Sequence, residues 1–185
     1  MKSIEHSGFI KEIKDFWSHS KCNSYIKKSE SLGYKDAMIQ TDSGQKINSK
    51  IRNNKRVLFE SKELADEIFL DLKGYLPEKI GNSSIVGLNE LFRFYKYEPG
   101  QEFKKHKDQS FIRNETEASY FTFMIYLNDK FVGGETTFDG IKITPRKGNC
   151  LIFLHDLEHE GSKLIEGTKY VLRTDLMYKL NEYPR

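Results

Sequence analysis

The spacing of apolar residues divides the chain in two. Around Ser18 to Leu32 they fall at helical intervals, at Trp17, Cys22, Tyr25, Ile26 and Leu32, with Gly33 as a stop. That predicts a helix. Ser61 precedes KELADEIFLDLKGYL, in which Leu64, Ile68 and Leu72 share a face. This predicts a second helix, capped by Ser61 and stopping near Gly74 or Pro77. Phe9 to Phe16 fits a strand or a helical turn equally well. Gln40 to Arg56 is polar, with Gly44 and several Asn and Ser, and reads as a long loop.

From Asn89 onward the period shortens. ELFRFYKYE, SYFTFMIYL, GIKIT, NCLIFL and TKYVLRTDLMY are short runs of aromatic and β-branched residues between Gly, Pro, Asn and Asp. They predict an antiparallel sandwich or small barrel. Alternation assigns the faces. Phe121, Phe123, Ile125 and Leu127 point one way, and Thr122, Met124 and Tyr126 the other. Phe92 and Phe94 oppose Arg93, Tyr95 and Tyr97. Lys169, Val171 and Arg173 share a face. The greasy face is the one for the helices to cover, and the mixed face suits a ligand-holding interior. The expected class is mainly β with flanking helices (α+β). The expected organisation is a single domain over 1–185, with helix-rich support in 1–88 and a β core in 89–180.

Composition narrows the class. With 185 residues, 37% hydrophobic and 31% charged, the chain has the make-up of a globular domain with enough length to bury a core. A net charge of +3, with both signs interspersed, gives no argument for nucleic acid. Cys22 and Cys150 form no CxxC motif and read as two reduced thiols. The N-terminal MKSIEHSGFIKEIKDFW has neither the form of a signal peptide nor that of an anchor. No apolar run reaches membrane-spanning length. The expected setting is cytoplasmic.

The chemistry lies in the strand-rich part. His106 and Asp108 are two positions apart, so an extended backbone turns both to one side and Lys107 away. His159 follows Asp108 by fifty-one residues, and Lys169 follows His159 by ten. Two histidines and one carboxylate form the facial triad that holds non-haem Fe(II) with positions left open. Lys169 stands where a cation would hold a dicarboxylate. His-x-Asp alone is a common string. The convergence of both pieces on one β region is what raises it. His155 competes with His159 for the distal place. His159 is preferred because Glu160-Gly161 and the Lys169 strand follow at the right distance. His6 and His19 read as solvated.

These residues fall in a longer pattern. It runs Tyr97-x-x-Gly100-Gln101-x-Phe103-x-x-His106-x-Asp108, then MIYLND, Gly133-Gly134-Glu135-Thr136, Pro145-x-x-Gly148 and LIFLH. It closes with His159-Glu160-Gly161 and Gly167-Thr168-Lys169-Tyr170. In this the chain resembles the 2-oxoglutarate and Fe(II)-dependent dioxygenases, especially the prolyl 4-hydroxylase-like group. Phe103 departs from the tyrosine that many relatives have there.

The resemblance implies a double-stranded β-helix (jelly-roll) with helices on one sheet. It implies Fe(II) on His106, Asp108 and His159, with 2-oxoglutarate and O2 as cosubstrates and ascorbate as a reductant. Lys169 would pair with the distal carboxylate of 2-oxoglutarate, and Tyr97 and Tyr126 would hydrogen-bond the cosubstrate. Arg173 is a second candidate cation, its rival role being a structural pair with Asp175. The implied reaction hydroxylates an unactivated C–H, most plausibly of a prolyl side chain in a protein or peptide, releasing succinate and CO2. A free amino acid or small metabolite is the alternative substrate, and a non-catalytic metal-binding jelly-roll the rival of another class. Nucleic-acid demethylases of the same superfamily usually carry paired arginines after the distal histidine, the first place of which Lys169 takes here. Gly133-Gly134 reads as a tight turn. The segments 108–119 and 40–56 are candidates to border the site mouth; Lys50, Arg52, Lys55 and Arg56 in the latter would favour an acidic or extended polymer substrate, but read more simply as a solvated basic loop.

Overall fold

The computed structural model describes residues 2–37, 39–41, 44–46 and 51–181. In chain order the principal elements begin with β1 (Lys2–Ser7), β2 (Ile10–Lys14), α1 (His19–Leu32), β3 (Lys55–Glu60) and α2 (Lys62–Leu72). Next come β4 (Ser83–Leu88), β5 (Leu91–Tyr97), β6 (Phe103–His106) and β7 (Glu117–Tyr126). The last are β8 (Thr136–Phe138), β9 (Ile141–Ile143), β10 (Cys150–Leu154), β11 (His159–Gly161) and β12 (Lys169–Leu180). Short strands fill several connections.

Both helices start where a serine can satisfy an orphan amide. The Ser18 hydroxyl accepts from the Lys21 N–H, and the Ser61 hydroxyl from the Leu64 N–H, each at 3.2 Å. Leu64, Ala65, Ile68 and Leu72 are buried along α2. In α1 the expected stripe is only partly kept. Cys22 is buried, but Leu32 is exposed.

The large sheet is antiparallel and runs β1-β2-β10-β7-β12-β5-β3, ending on Lys35–Asp36, with β4 also pairing β12. A smaller sheet runs β6-β11-β8-β9. Facing one another, the two form a double-stranded β-helix, a jelly-roll. The predicted alternation holds strand by strand. Phe92, Phe94, Phe121, Phe123, Ile125 and Leu127 join the helices in one core. Tyr95, Tyr97, Met124, Tyr126 and Val171 lie in a second core between the sheets. Burial of each large side chain contributes about 1.5–3 kcal/mol, so the first core anchors the scaffold and the second shapes the site.

The first 88 residues are less helical than their pattern suggests. They hold α1 and α2, but β1 and β2 extend one edge of the large sheet, β3 the other, and β4 lies beside β12. Phe9 to Phe16 resolves as strand β2, paired with β10. The segment 40–56 is not one loop. Ile39–Thr41 and Gly44–Lys46 pair as a short hairpin, and Lys55 and Arg56 open β3. Residues 47–50, Lys50 included, lie outside the described residues. Backbone pairing to an edge needs no apolar alternation, so these strands leave little trace in the sequence.

Candidate active site

β6 and β11 pair so that His106 and His159 are direct partners across the ladder. Asp108 follows two residues past the end of β6, and its N–H is held by the His155 carbonyl at 3.1 Å. One donor atom from each of His106, Asp108 and His159 lies within 4.8 Å of the others. Each histidine donates its Nδ1–H to the backbone carbonyl two residues before it. His106 reaches Lys104 O at 2.7 Å, and His159 reaches Leu157 O at 3.0 Å. A carbonyl can only accept, so each Nε2 keeps its lone pair. Both Nε2 atoms stand 3.7 Å from a carboxylate oxygen of Asp108. This donor set, with both imidazoles presenting Nε2 to a carboxylate, fits Fe(II).

Rings fix the two histidines. Phe103 stacks on His106 with centroids 3.5 Å apart, and Phe153 meets His159 edge-on at 4.5 Å. Burial lowers the His159 pKa to about 4, so it is neutral and ready to ligate near pH 7. Burial alone would raise Asp108, but the Arg173 guanidinium beside it outweighs that and holds the carboxyl well below its usual range. Thr122 donates to Asp108 Oδ2, and Arg173 Nη2 lies 3.1 Å from the same oxygen.

Lys169 lines the pocket that contains the triad, together with Tyr95, Tyr97, Thr136 and Val171. The ammonium is buried, donates to Gly134 O at 2.6 Å, and forms no ion pair among the described residues. Burial, only partly opposed by Glu135, brings its pKa down to about 7. A buried cation with only a neutral carbonyl as partner is matched to an incoming carboxylate. Tyr97 lies beside it, with Lys169 Nζ 5.1 Å from the ring centroid, and burial raises its hydroxyl to about 12. Tyr97 is therefore a neutral hydrogen-bond donor. Tyr126 is fully buried outside the pocket wall and donates to Thr136 Oγ1 at 2.8 Å. That contact leaves the Thr136 hydroxyl proton free for a pocket ligand.

Sequence comparison agrees with this geometry. The family model described as the 2OG-Fe(II) oxygenase superfamily matches residues 92–174. Over those residues the chain is similar to that superfamily. Among curated proteins it is 24% identical over 193 residues to "Probable prolyl 4-hydroxylase 7" of Arabidopsis thaliana, covering 84% of this chain and 58% of that protein. The chain thus spans little more than half of that relative's length. Among solved structures it is similar to the viral collagen prolyl hydroxylase of Paramecium Bursaria Chlorella virus-1 in its 2OG complex. The TM-score is 0.68 at 21% identity, over 94% of this chain and 97% of that one. A Trichoplax adhaerens prolyl hydroxylase, bound to a hypoxia inducible factor oxygen degradation domain peptide fragment, gives a TM-score of 0.67 at 18% identity. That match covers 92% of this chain and 84% of that one. At such identities the structural likeness establishes the jelly-roll fold.

Within this jelly-roll the competitor His155 does not join the triad. It is buried 3.7 Å from Asp175, with both ring nitrogens lacking hydrogen-bond partners among the described residues. His19 is exposed as expected, whereas His6 is half-buried and faces Glu12 at 3.5 Å. Cys22 and Cys150 are free and buried. Arg173 makes the structural pair weighed for it. It reaches Asp175 at 3.2 Å and lines the pocket beside Asp108. Its charge is already matched by those two acids, which leaves Lys169 as the cation of this pocket without a carboxylate partner among the described residues.

Sequence reading passed over four residues of the site. Tyr95, Thr122 and Thr136 line the pocket, and Gly134 packs on the lysine. Tyr95 and Thr122 carried a usable signal, since alternation puts them on the interior face. Gly134 has φ +67, and a Cβ there would stand 3.2 Å from Lys169 Cδ. The turn therefore seats the lysine as well as reversing the chain.

Proposed function

We propose that this protein is an Fe(II)- and 2-oxoglutarate-dependent dioxygenase that hydroxylates an unactivated C–H of a prolyl side chain in a protein or peptide, releasing succinate and CO2. The observation that carries the reading is the triad and the unpaired, buried Lys169 on the walls of one pocket. When bound, iron, 2-oxoglutarate and O2 supply the oxidising chemistry.

The chain supplies position and environment. His106, Asp108 and His159 would hold the metal on one face and leave the opposite positions free. Arg173 and Thr122 keep the Asp108 carboxylate oriented. Lys169 would take the distal carboxylate, with Thr136 and Tyr97 as neutral donors in the same pocket. Met124, Phe153 and Val171 make the walls apolar and restrict water. A cleft of about 500 Å³ opens outward from His106 and Asp108 between residues 51–56 and 107–111, room for an extended substrate. The prolyl target is supported by the relatives' names and by the peptide complex of the Trichoplax protein. Ascorbate as the reductant, which the family resemblance implies, and a cytoplasmic setting belong to the same proposal. Among the described residues no helix is long and apolar enough to cross a membrane.

The test is anaerobic titration with Fe(II) and 2-oxoglutarate, followed by the visible charge-transfer band. The band forms in the wild type, weakens in Lys169→Ala and is lost in His159→Ala. In air, a proline peptide gains one oxygen as succinate appears. Folded, iron-loaded protein without the band would overturn the reading.

A further inference from the structure

The outer cleft holds more positive charge than its own acids can match. Arg52, Arg56, Arg93, Lys107 and Arg173 line it against Asp108 and Asp175. Three of these cations are engaged. Arg93 binds Asp175 at 3.0 Å, Arg173 is shared between Asp175 and Asp108, and Lys107 pairs with Asp156 at 2.6 Å. Asp108 is in addition a member of the triad. Arg52 and Arg56 form no ion pair with a carboxylate among the described residues.

Arg52 is built into place. It is 5% exposed. Its guanidinium lies over Tyr95 at 4.3 Å and over Phe103 at 4.4 Å, and Nε donates to Asn54 Oδ1 at 2.6 Å. Nη2 is buried with no hydrogen-bond partner. The backbone explains the position. Residues 51–53 dock along β6, with Arg52 bridging Phe103 and Lys104 N–H bonding Ile51 O at 2.9 Å. Phe103, which carries Arg52, is also the ring stacked on His106, so this cation stands next to the metal ligands.

Arg56 opens β3 opposite Tyr95. Burial and the nearby Arg52, Arg93 and Arg173 bring its pKa below the usual arginine value. Burial pushes Tyr95 up, yet Arg173, Arg52 and Arg93 together bring it to about 8. Both shifts report the same uncompensated positive field. An arginine with a donor edge free and desolvated is a fork for a carboxylate.

We propose that Arg52 and Arg56 form a receptor for a substrate carboxylate, so that the preferred substrate carries an acidic group beside the carbon that is hydroxylated. The inference rests on the proposed oxygenase reading and adds the substrate's charge to it. An aspartate or glutamate next to the target proline in a peptide is the source the open cleft favours. The α-carboxylate of a small molecule is the other source of the same chemistry.

The test uses protein loaded anaerobically with Fe(II) and 2-oxoglutarate, once the charge-transfer band is seen. Calorimetry compares blocked proline peptides with aspartate, asparagine or lysine beside the proline, together with N-acetylproline. The aspartate peptide binds roughly tenfold tighter than the asparagine peptide, a difference of about 1.4 kcal/mol that shrinks with salt. Arg56→Gln and Arg52→Gln each remove most of that advantage, and Arg56→Glu moves the preference toward lysine. Arg56 is half-buried at a strand start, so its variants answer the question even where Arg52→Gln disturbs the Phe103 stack. Tight binding of N-acetylproline without an aspartate advantage would assign the carboxylate to a small molecule. Three results overturn the receptor: equal affinity for all four probes, an acidic preference that survives both glutamine variants, or no binding of any carboxylated probe. Absence of the charge-transfer band would instead overturn the oxygenase reading.

Discussion

At the scale of single residues, the electrostatics of Lys169 yield a prediction that needs no substrate. Its folded pKa of about 7 lies below the unfolded value of 10.5. Between those values the unfolded chain holds a proton that the folded chain has released, so stability rises with pH across that window. Below pH 7 both states hold the proton and the slope vanishes. Lys169→Met should remove this part of the slope in urea unfolding of the metal-free protein. Cosubstrate binding should run the other way. A dianion favours the ammonium, so each 2-oxoglutarate bound above pH 7 takes up about one proton, and affinity falls as pH rises. Calorimetry in two buffers of different ionisation enthalpy measures that proton. An unchanged heat between buffers would rule out Lys169 as the titrating anchor. Lys169 was visible in the sequence because ten residues of spacing placed it on the strand after His159. The charge balance around Arg173 was not visible, since it depends on Asp108 arriving from a different strand.

At the scale of elements, glycine turns hold the strands in register with the site. Gly148, with φ +86, precedes β10, and a Cβ there would meet the Trp17 carbonyl oxygen at 2.2 Å. The same glycine accepts the Trp17 N–H and donates to Tyr126 O, both at 2.9 Å, and so ties the start of α1 to β7. Gly148→Ala should therefore cost at least the 1–3 kcal/mol, roughly, of a strained left-handed residue. The thermal midpoint would drop by about 2–4 °C per kcal/mol. An unshifted midpoint would show that the turn relaxes. The strands of the second half were legible because each has an apolar and a mixed face. The strands of the first half were not. β1 reads KSIEHS and is largely exposed, and β3 opens with Lys55 and Arg56, so backbone bonding to an edge defines them more than side-chain burial does.

For the whole molecule, ligands should act as staples between the sheets. His106 and His159 lie in the small sheet, whereas Lys169, Tyr97 and Arg173 lie in the large one. A metal and a cosubstrate seated between them bind only the folded arrangement. At one hundred times its Kd a ligand stabilises by about 2.7 kcal/mol, or roughly 5–10 °C for a chain of this size. Scanning calorimetry with Fe(II) and 2-oxoglutarate under argon should show that rise. His159→Ala should abolish it while keeping a cooperative transition. A rise that persists in His159→Ala would place the ligands elsewhere.

The sequence by itself determined which residues could do the chemistry and which faces they occupy. Period-two alternation is local, and so is the i, i+2 placement of His106 and Asp108. It also determined the helix starts, because a serine cap needs only the next three residues. Tertiary structure decided the rest. It paired His106 with His159 across one ladder, left His155 out, and turned Tyr126 toward Thr136. It also drew Arg52, expected in a solvated loop, into a buried place between Tyr95 and Phe103. These outcomes depend on strand order and on what each buried charge meets, and neither is set by residues near one another in the chain.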